Sequence, residues 1–560
     1  MSNQELKIEI IKAKNNINTI KINGYLLHSK YDPISEAEKF ANINYKPGCV
    51  HVVFGYGLGY YLQELKKMFN NNEQLICVEP ITEINTNENH FDVLIRGYDE
   101  ANIKQMLKVL LTKDINVNFL CSPNYDKLFP KQYKNFIEIL KNRIELNKID
   151  ENTIYKFSKD WMGNYLNNIS KSFLDEDISL LQQKYREPIV VASGGPSLTK
   201  QIPLLREHRE KYILIAAGST INTLMNYELE PDFVVSIDGG INNYNHFKKK
   251  KLSKTRLIYS LFNHYRIRES FENQCYYFLS QDLYNLEPHL KKFLNVAPTT
   301  LLGGGSVATY ALSFGRYISS GPIAIVGQDL AYTDNKSHAE FNNNFEIIKE
   351  ISTGKFMVDG YNGEKVLTDL AFFSMKETFE ILIQQLKGND EIFNCTEGGV
   401  LINGLRNMEF NNFCTNYFKT KTKTVINNNL YTSNSITRKK EEIKLTLLED
   451  LENYEVLIKL IIDNLTKLKE AKRIKEFTFL INEGMKENER KLNNIIKKLP
   501  ISIILEGISL RTVKYFNEVK DEKVEDSFER VYMQNEFFFT NLKNDVKDCM
   551  SITKNIINNL

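Results

Sequence analysis

The sequence predicts an α/β protein whose central part is a doubly wound parallel sheet. Short apolar runs recur through the middle of the chain, and helix-like segments separate them. The runs are residues 189–192, 212–217, 233–237, 257–260, 276–279 and 323–326. Successive positions in each run are apolar, as expected for strands that helices cover on both faces. Strands that alternate with helices in this way form a mostly parallel sheet.

The length and composition indicate a folded protein of several domains. A chain of 560 residues exceeds one ordinary hydrophobic core, and 42% hydrophobic with 25% charged residues is typical of globular proteins. Changes of pattern predict domains at 1–150, 151–430 and 431–560. The 72 basic and 70 acidic residues leave a formal charge of +2, which argues against nucleic acid as a partner.

Cysteine usage and hydropathy predict a cytoplasmic protein. The seven cysteines are dispersed without a CxxC pair, which is typical of reduced thiols, and the eight dispersed histidines offer no structural zinc site. No apolar run reaches the length of about 18 residues that a membrane span needs, and the first residues lack a signal-peptide core. The oligomeric state stays open.

The first region has the pattern of a smaller Rossmann-like domain. The apolar run 50–54 leads into the glycine-rich segment 55–59, and after a helix-like stretch a second run ends at Glu79. Such a turn lets the backbone approach a nucleotide, and the acid can accept from a ribose hydroxyl. The GxGxG spacing also suits a methyltransferase-type turn or a purely structural unit, so the role of this turn stays open.

The last region predicts an all-helical segment. From about residue 434 onward glycine nearly disappears, and Lys, Glu, Leu and Ile dominate. Apolar residues recur at helical spacing, as at Leu447, Leu451, Val456, Leu460 and Ile461. A bundle or long helical hairpins follow, either as a surface for a partner protein or as an appendage that packs on the sheet.

A glycine-rich turn follows the first strand of the central region. The strand runs directly into Ser193, Gly194, Gly195, Pro196 and Ser197. Glycines permit backbone conformations that other residues avoid, so amides and the following helix N-terminus can face a phosphate. A tight structural turn of the same composition is the alternative.

Polar residues follow the next two strands as well. The second strand leads to Ser219 and Thr220, which either cap the next helix or contact a ligand. The third ends at Asp238, whose carboxylate can accept from a sugar hydroxyl, hold a divalent ion or act as a general base. A turn or helix-cap role is the alternative for Asp238.

Two further segments supply polar groups after a glycine-rich helix start and after the last strand. They contain, in order, Gly304, Gly305, Ser306, Gly327, Gln328, Asp329 and His338. Asp329 and His338 are acid/base candidates by residue type and position, although a loop histidine is often a bystander. Because these groups follow successive strands of one sheet, we expect them to meet at one edge.

The combination of motifs resembles the motility accessory factor (Maf) family. The blocks are SGGPSL at 193–198, SIDGG at 236–240, GGGSVATYAL at 303–312, GQDLAYTDNKSHA at 327–339, DGYNGEKVLT at 359–368 and NCTEGGVLINGL at 394–405. They cover the central third of the chain, and the glycine-turn start and helical C-terminus fit the layout of that family. The central domain is also similar to bacterial sialyltransferases.

The resemblance implies a bacterial enzyme that transfers a nonulosonic acid, pseudaminic or legionaminic, from its CMP derivative to Ser or Thr of flagellin. No cofactor besides this donor is expected, and a divalent metal is compatible but not required. The expected contacts with the nucleotide sugar are Ser193, Gly194, Gly195, Ser197, Ser219, Thr220, Gly304, Gly305, Ser306, Gly327, Gln328, Tyr332 and Thr368. A single displacement by the acceptor hydroxyl would invert the anomeric centre.

The general base stays open at this point. Sialyltransferases place a histidine before a Thr-Asp pair, but segment 359–369 contains none. The candidates are Asp238, Asp329, His338 and Glu397. Two other functions are alternatives: a pterin pyrophosphokinase with Asp238 on a magnesium ion, and a non-enzymatic flagellin-binding accessory protein that uses the helices.

Overall fold

The computed structural model describes residues 6–70, 73–111, 115–171, 174–248, 250, 252–280, 286–294, 298–348, 354–386, 391–418, 433–516 and 523–560. The chain divides into two compact units, Met1–Thr153 and Ile154–Leu560. The central sheet and the C-terminal helices belong to the second unit, so the separation of 151–430 from 431–560 stays a prediction. None of the helices in the described part of the chain has an apolar stretch that would span a bilayer.

The first unit contains a parallel sheet with helices. Its elements are β1 (Ile8–Lys12), β2 (Asn18–Ile22), β3 (Tyr25–Leu26), α1 (Pro33–Asn44), β4 (Cys49–Phe54), α2 (Tyr60–Lys67), β5 (Leu75–Glu79), β6 (Val93–Arg96), α3 (Glu100–Leu110), β7 (Asn116–Cys121), α4 (Tyr125–Leu128) and the start of α5 (Pro130–Ser170). The parallel sheet has the order β6-β5-β4-β7, and β1, β2 and β3 form an antiparallel sheet. The predicted strand, glycine turn, helix and strand are all present.

The carboxylate of Glu79 accepts hydrogen bonds from the glycine turn of the first unit. The side chain is fully buried and accepts from the N–H groups of Tyr56 (2.6 Å), Gly57 (3.4 Å) and Ile81 (2.7 Å). The Tyr125 hydroxyl donates to it as well, at 2.6 Å. Burial raises the pKa of this carboxyl. Glu79 thus serves the turn itself, which supports the structural alternative over a ribose contact.

Replacing Glu79 with alanine is expected to loosen the first unit by about 3–5 kcal/mol, because each buried donor left without an acceptor costs about 1–3 kcal/mol. Hydrogen–deuterium exchange measures this locally: protection of peptides from β4 and β5 should fall by about 100-fold or more. Glu83→Ala, at an exposed site nearby, is the control and should leave protection unchanged. Equal protection in both variants would contradict a structural role for Glu79.

The second unit is built on a long parallel sheet and ends in helices. Its elements are β8 (Glu176–Asp177), β9 (Ile189–Ala192), α6 (Leu198–Glu207), β10 (Ile213–Ala217), α7 (Thr220–Asn226), β11 (Phe233–Ser236), α8 (Ile241–Phe247), β12 (Arg256–Ser260), β13 (Tyr276–Ser280), α9 (Glu287–Leu294), β14 (Thr300–Leu301), α10 (Val307–Ile318), β15 (Ile323–Val326), β16 (Lys355–Asp359), β17 (Lys365–Asp369), α11 (Leu370–Gln385), β18 (Ile392–Asn394), β19 (Arg406–Asn407), α12 (Phe410–Tyr417), α13 (Ser433–Ile474), α14 (Phe479–Ile496), α15 (Ser502–Tyr515) and α16 (Val524–Asn559).

Strand order places a topological switch point in the middle of this sheet. The order is β14-β13-β12-β11-β10-β9-β15-β18-β19, with β8 beside β13, and the pairings are parallel. The chain runs from β9 outward to β14 and then returns to the other side of β9. Such a reversal opens a crevice at the carboxyl ends of the two strands beside it, here β9 and β15. The predicted fold class, α/β with doubly wound sheets and a helical region, is confirmed.

Apolar residues of the central strands support a core on each face of the sheet. In β9, Val190 and Ala192 belong to one core, and Ile189 and Val191 belong to the other. Helices α6 and α7 cover the first face, and α10 covers the second. Residues of α13 such as Tyr454 join the first core, which explains why the C-terminal helices and the sheet form one unit.

Candidate functional site

The turns after β9 and β15 lie side by side at the switch point. Ala192 pairs with Val326 in the sheet, and the N–H of Ser193 donates to the Val326 carbonyl at 2.9 Å. Beyond the strand ends, the N–H of Gly195 donates to the Gly327 carbonyl at 2.7 Å. The structure therefore brings together the two segments that the sequence analysis placed at one edge.

Asp329 holds the turn after β9 in place. Its carboxylate accepts from the Ser197 hydroxyl at 2.6 Å and from the Ser197 N–H at 3.2 Å, and the side chain is buried. Burial raises the pKa of Asp329, and the hydrogen bonds from Ser197 oppose that shift. Because Ser197 stands directly before α6, this carboxylate occupies the N-terminus of that helix.

Close packing, not an unusual backbone conformation, requires the glycines of this turn. A Cβ on Gly195 would lie 2.2 Å from Asp329 Oδ2 and 2.6 Å from the Gly327 carbonyl oxygen. A Cβ on Gly194 would lie 2.9 Å from Asn342 Nδ2. Neither glycine has a positive φ, which corrects the conformational reason expected from the sequence; Gly327, with φ +66°, does have one.

The start of α10 lies at the end of the neighbouring strand β10. A Cβ on Gly218, which follows β10, would lie 3.1 Å from Val307 Cγ1 in the first turn of α10. Ser306 precedes α10 and makes no side-chain cap bond to it. Gly304 and Gly305 form the tight approach to Ser306, whose N–H donates to the Gly304 carbonyl at 2.7 Å.

Polar side-chain atoms without protein partners occur in the turns beyond β9, β10 and β15 and at the start of α10. They are Ser193 Oγ, Thr220 Oγ1, Ser306 Oγ and Gln328 Oε1, which we name the open polar cluster. None of the four has a hydrogen-bond partner among the described residues, and Ser193, Thr220 and Gln328 are at most 5% exposed. Native proteins rarely leave buried polar atoms unpaired, so each such atom calls for a missing partner such as a ligand or water.

Asp238 lies two strands away from β9, beyond the end of β11. The N–H of His264 and the side-chain amide of Asn243 donate to its backbone carbonyl at 3.1 and 2.7 Å, which holds the loop. Its carboxylate has no hydrogen bond within the described part of the chain. Desolvation raises the pKa of this carboxyl, yet the residue is exposed to solvent. A position inside a solvent-filled cleft accounts for both the raised pKa and the exposure of Asp238.

Other sequence-predicted residues have protein partners. The exposed Glu397 accepts from the Phe410 N–H at 2.8 Å, at the first residue of α12. The Thr368 hydroxyl donates to the Leu330 carbonyl at 2.9 Å, and the Tyr332 hydroxyl donates to Asp369. These contacts anchor the β16–β17 hairpin to the loop after β15. The Ser219 hydroxyl oxygen accepts from Asn342 Nδ2 at 3.3 Å, so the hydroxyl can still donate its proton to a ligand.

The loop after β15 folds over the turn after β9. The Ala339 N–H donates to the Gly194 carbonyl at 2.9 Å. His338 Cδ2 lies 3.7 Å from the position that a Cβ on Gly194 would take. The structure thus places His338 against the predicted nucleotide turn.

Several polar residues of this site were missed by the sequence analysis. Asn342 and Asn343 belong to a run of asparagines just behind His338, a polar run that could have indicated the site. Asn222 and His246 lie in α7 and α8 without any motif around them, and no sequence signal could have found them. Within the described residues, no group of three or more His, Cys, Asp or Glu side chains could hold a metal ion.

Two sequence comparisons match parts of the chain. A family model described as MptE-like, 6-hydroxymethylpterin diphosphokinase MptE-like, matches residues 163–335, the sheet from before β8 to just beyond β15. An uncharacterized protein of Treponema pallidum (strain Nichols) is 25% identical over 145 residues, which are 26% of this chain and 68% of that protein.

A solved structure matches nearly the whole chain. It is the Maf glycosyltransferase from Magnetospirillum magneticum AMB-1, with a TM-score of 0.56 and 13% identity, over 98% of this chain and 92% of that chain. At this identity the likeness establishes a shared fold. The protein therefore has the fold of a Maf glycosyltransferase over both of its units, and its central stretch is similar to the MptE-like family.

Proposed function

We propose that this protein is a cytoplasmic glycosyltransferase that moves a nonulosonic acid, of the pseudaminic or legionaminic type, from its CMP derivative onto Ser or Thr of flagellin. This modification would serve flagellar assembly and motility. The open polar cluster carries the proposal, because four buried polar atoms without partners favour a ligand rich in hydrogen-bonding groups. The Maf-like sequence blocks and the Maf-like fold support a sugar nucleotide as that ligand.

The helix N-termini suggest where the donor phosphate binds. Asp329 already occupies the N-terminus of α6 and would repel a second anion there when ionised. The N-terminus of α10 has no side-chain cap, and Ser306 Oγ beside it is one of the unpartnered atoms. A helix N-terminus attracts phosphate and carboxylate groups through its free N–H groups and its dipole. We therefore place the phosphate or the sugar carboxylate at α10.

The chemistry needs stabilisation of a good leaving group more than acid catalysis. Attack of the acceptor hydroxyl on the anomeric carbon passes through an oxocarbenium-like transition state, and a single displacement inverts that centre. Hydrogen-bond donors aimed at the departing phosphate lower the barrier because they are in place before charge develops. A nearby carboxylate such as Asp238 would orient hydroxyl groups of the donor.

The MptE-like match favours a second candidate, transfer of diphosphate from ATP to a pterin alcohol. Magnesium in such sites keeps water and substrate phosphates as ligands, so the single carboxylate of Asp238 is compatible with it. The Maf-like fold covers 98% of the chain, whereas the MptE-like match covers only residues 163–335. The wider likeness favours glycosyl transfer.

Ligand-dependent stability distinguishes the two candidates. CMP is expected to raise the melting temperature of the protein, since a ligand at 100 times its dissociation constant stabilises the folded state by about 2.7 kcal/mol. ATP with magnesium should give no comparable rise. Ser306→Ala should raise the dissociation constant for CMP about fivefold, which corresponds to the loss of one hydrogen bond, and the rise in melting temperature should be smaller. A rise with ATP and magnesium alone would support the diphosphokinase instead.

Intact-mass analysis of flagellin tests the complete proposal. Flagellin co-expressed with this protein and a nonulosonate pathway should gain the mass of one or more nonulosonic acids, and flagellin without this protein should not. Unmodified flagellin in both cells, together with poor filament assembly when the protein is deleted, would instead support a flagellin-binding accessory role for the helices.

A further inference from the structure

The structure separates the four candidates for the general base. Asp329 accepts two hydrogen bonds from Ser197, and Glu397 accepts from the first residue of α12, so both carboxylates have structural tasks. Asp238 is two strands from β9, or about 10 Å along the sheet. His338 lies against the same turn as Asp329, with Cδ2 3.7 Å from the position that a Cβ on Gly194 would take, and its carboxylate-free ring has no such task in holding the turn.

Hydrogen bonds determine which nitrogen of His338 carries the proton. The Ser337 hydroxyl donates its only proton to the Asn344 carbonyl at 3.0 Å and accepts from the Glu346 N–H at 2.9 Å. The contact of 3.2 Å between His338 Nδ1 and Ser337 Oγ therefore needs Nδ1–H as its donor. The Asn344 carbonyl is a second acceptor for the same ring. Neutral His338 thus carries its proton on Nδ1 and has a lone pair on Nε2.

His246 has the opposite arrangement. Its Nδ1 faces the side-chain amides of Asn222 at 3.1 Å and Asn343 at 3.2 Å. The Asn222 amide also donates to the Ser219 carbonyl at 3.1 Å, which fixes its NH₂ group toward the histidine. His246 Nδ1 therefore accepts, and the proton of the neutral ring lies on Nε2. His246 can donate a hydrogen bond from Nε2. Its lone pair on Nδ1 already accepts from the asparagine amides and cannot take the proton of a substrate.

Burial of His338 favours a neutral ring at pH 7. Burial lowers the pKa of His338, and the Asn344 carbonyl and the exposed Glu346 oppose that shift. His246 also faces His338, and its pKa is lowered by burial, by His338 and by Lys250. A protonated His338 would therefore face a poorly solvated site beside a second histidine.

We propose that Nε2 of His338 is the general base that removes the proton from the acceptor hydroxyl, and that His246 is a positioning residue. The assignment rests on the proposed glycosyl transfer. The Ser337 and Asn344 contacts orient the imidazole, and the folded loop holds it against Gly194. His246 orders the neighbouring asparagines, which include Asn343 in the same loop as His338.

In the reaction, the oxygen of the acceptor Ser or Thr forms a bond to the anomeric carbon of the nonulosonate. The bond from that carbon to the phosphate oxygen breaks, and its electron pair leaves with CMP. The hydroxyl proton moves to His338 Nε2, so the ring becomes an imidazolium and later releases the proton to water. No oxidant, reductant or further reactant is needed.

His338→Asn is the matched test, because the asparagine amide can still donate to Ser337 and Asn344 but offers no base at the Nε2 position. We expect kcat for transfer of nonulosonate from its CMP derivative to flagellin to fall by about 10²–10⁴-fold. The rise in melting temperature with CMP should stay as in the wild type. Retention of kcat within about threefold of the wild type would overturn the assignment.

The pH dependence separates a base from a residue that only shapes the site. Wild-type kcat/KM should decline as the pH falls below the ordinary histidine pKa of 6.5, because a protonated His338 cannot accept a proton. This acid decline should persist in His246→Asn and disappear in His338→Asn. Free imidazole should restore part of the transfer in His338→Gly. An acid decline that persists in His338→Asn overturns the assignment.

The two proposals fail in different ways. If wild-type protein transfers no nonulosonate to flagellin, the glycosyltransferase proposal fails and the base assignment fails with it. If the wild type transfers the sugar and His338→Asn does so at a similar rate, only the base assignment fails.

Discussion

Asp238→Ala is expected to abolish sugar transfer without unfolding the protein. The carboxylate has no hydrogen-bond partner in the described part of the chain, and the residue is exposed, so its removal leaves no buried group unpaired. In the cleft the same carboxylate would accept hydrogen bonds from hydroxyl groups of the sugar donor, and loss of such a charged contact costs about 100-fold or more in rate. The intact mass of co-expressed flagellin measures the effect.

Two controls accompany the Asp238 variant. Trp161, the one tryptophan of the sequence, lies 2.8 Å from the position of a Cβ on Gly239, so its fluorescence reports whether the adjacent loop stays folded. Asp548→Ala removes an exposed carboxylate of α16 in the same unit and should leave transfer unchanged. Wild-type glycosylation of flagellin by the Asp238 variant would refute the role of this residue.

Asp329→Ala is expected to destabilise the second unit by about 2–5 kcal/mol, because it leaves the Ser197 hydroxyl and N–H buried without an acceptor. The turn after β9 should lose its position, and transfer should fall with it. Urea unfolding followed by Trp161 fluorescence measures the stability. The expected signal is a lower midpoint concentration of urea.

Asp329→Asn is the matched control, since its side-chain oxygen can still accept from Ser197. Burial raises the pKa of Asp329, so the ionised form is disfavoured in the folded protein and a neutral isostere should cost less than alanine. Gly195→Ala should resemble Asp329→Ala, because its Cβ would meet Asp329 Oδ2 at 2.2 Å. An asparagine variant as unstable as the alanine variant would show that the charge, not the hydrogen bonds, stabilises the turn.

Strands with apolar residues on both faces were predictable from the sequence. The expected runs at 189–192 and 323–326 coincide with β9 and β15, because four consecutive apolar residues between polar turns have few other stable placements. The short β14 and β19 were not predicted. Two residues carry no periodic signal, and only pairing with a neighbouring strand makes them part of a sheet.

The acidic candidates show where sequence reasoning ends. Asp238, Asp329 and Glu397 each follow a strand and lie within two residues of a glycine, so residue type and position do not distinguish them. Their tasks differ because of residues far away in the chain: Ser197 donates to Asp329, and the start of α12 donates to Glu397. The same holds for Glu79, whose hydrogen bonds to the turn could not be inferred from its place at a strand end.

The sequence by itself determined the fold class, the positions of the main central strands and the expectation that their polar turns share one edge. These properties follow from local patterns, since apolar periodicity and glycine turns are encoded within a few neighbouring residues. Only the tertiary structure decided that β9 lies beside β15, that Asp329 serves the turn, and that His338 and His246 carry their protons on opposite nitrogens. Those outcomes depend on hydrogen bonds between segments far apart in the chain, whose partners no local pattern specifies.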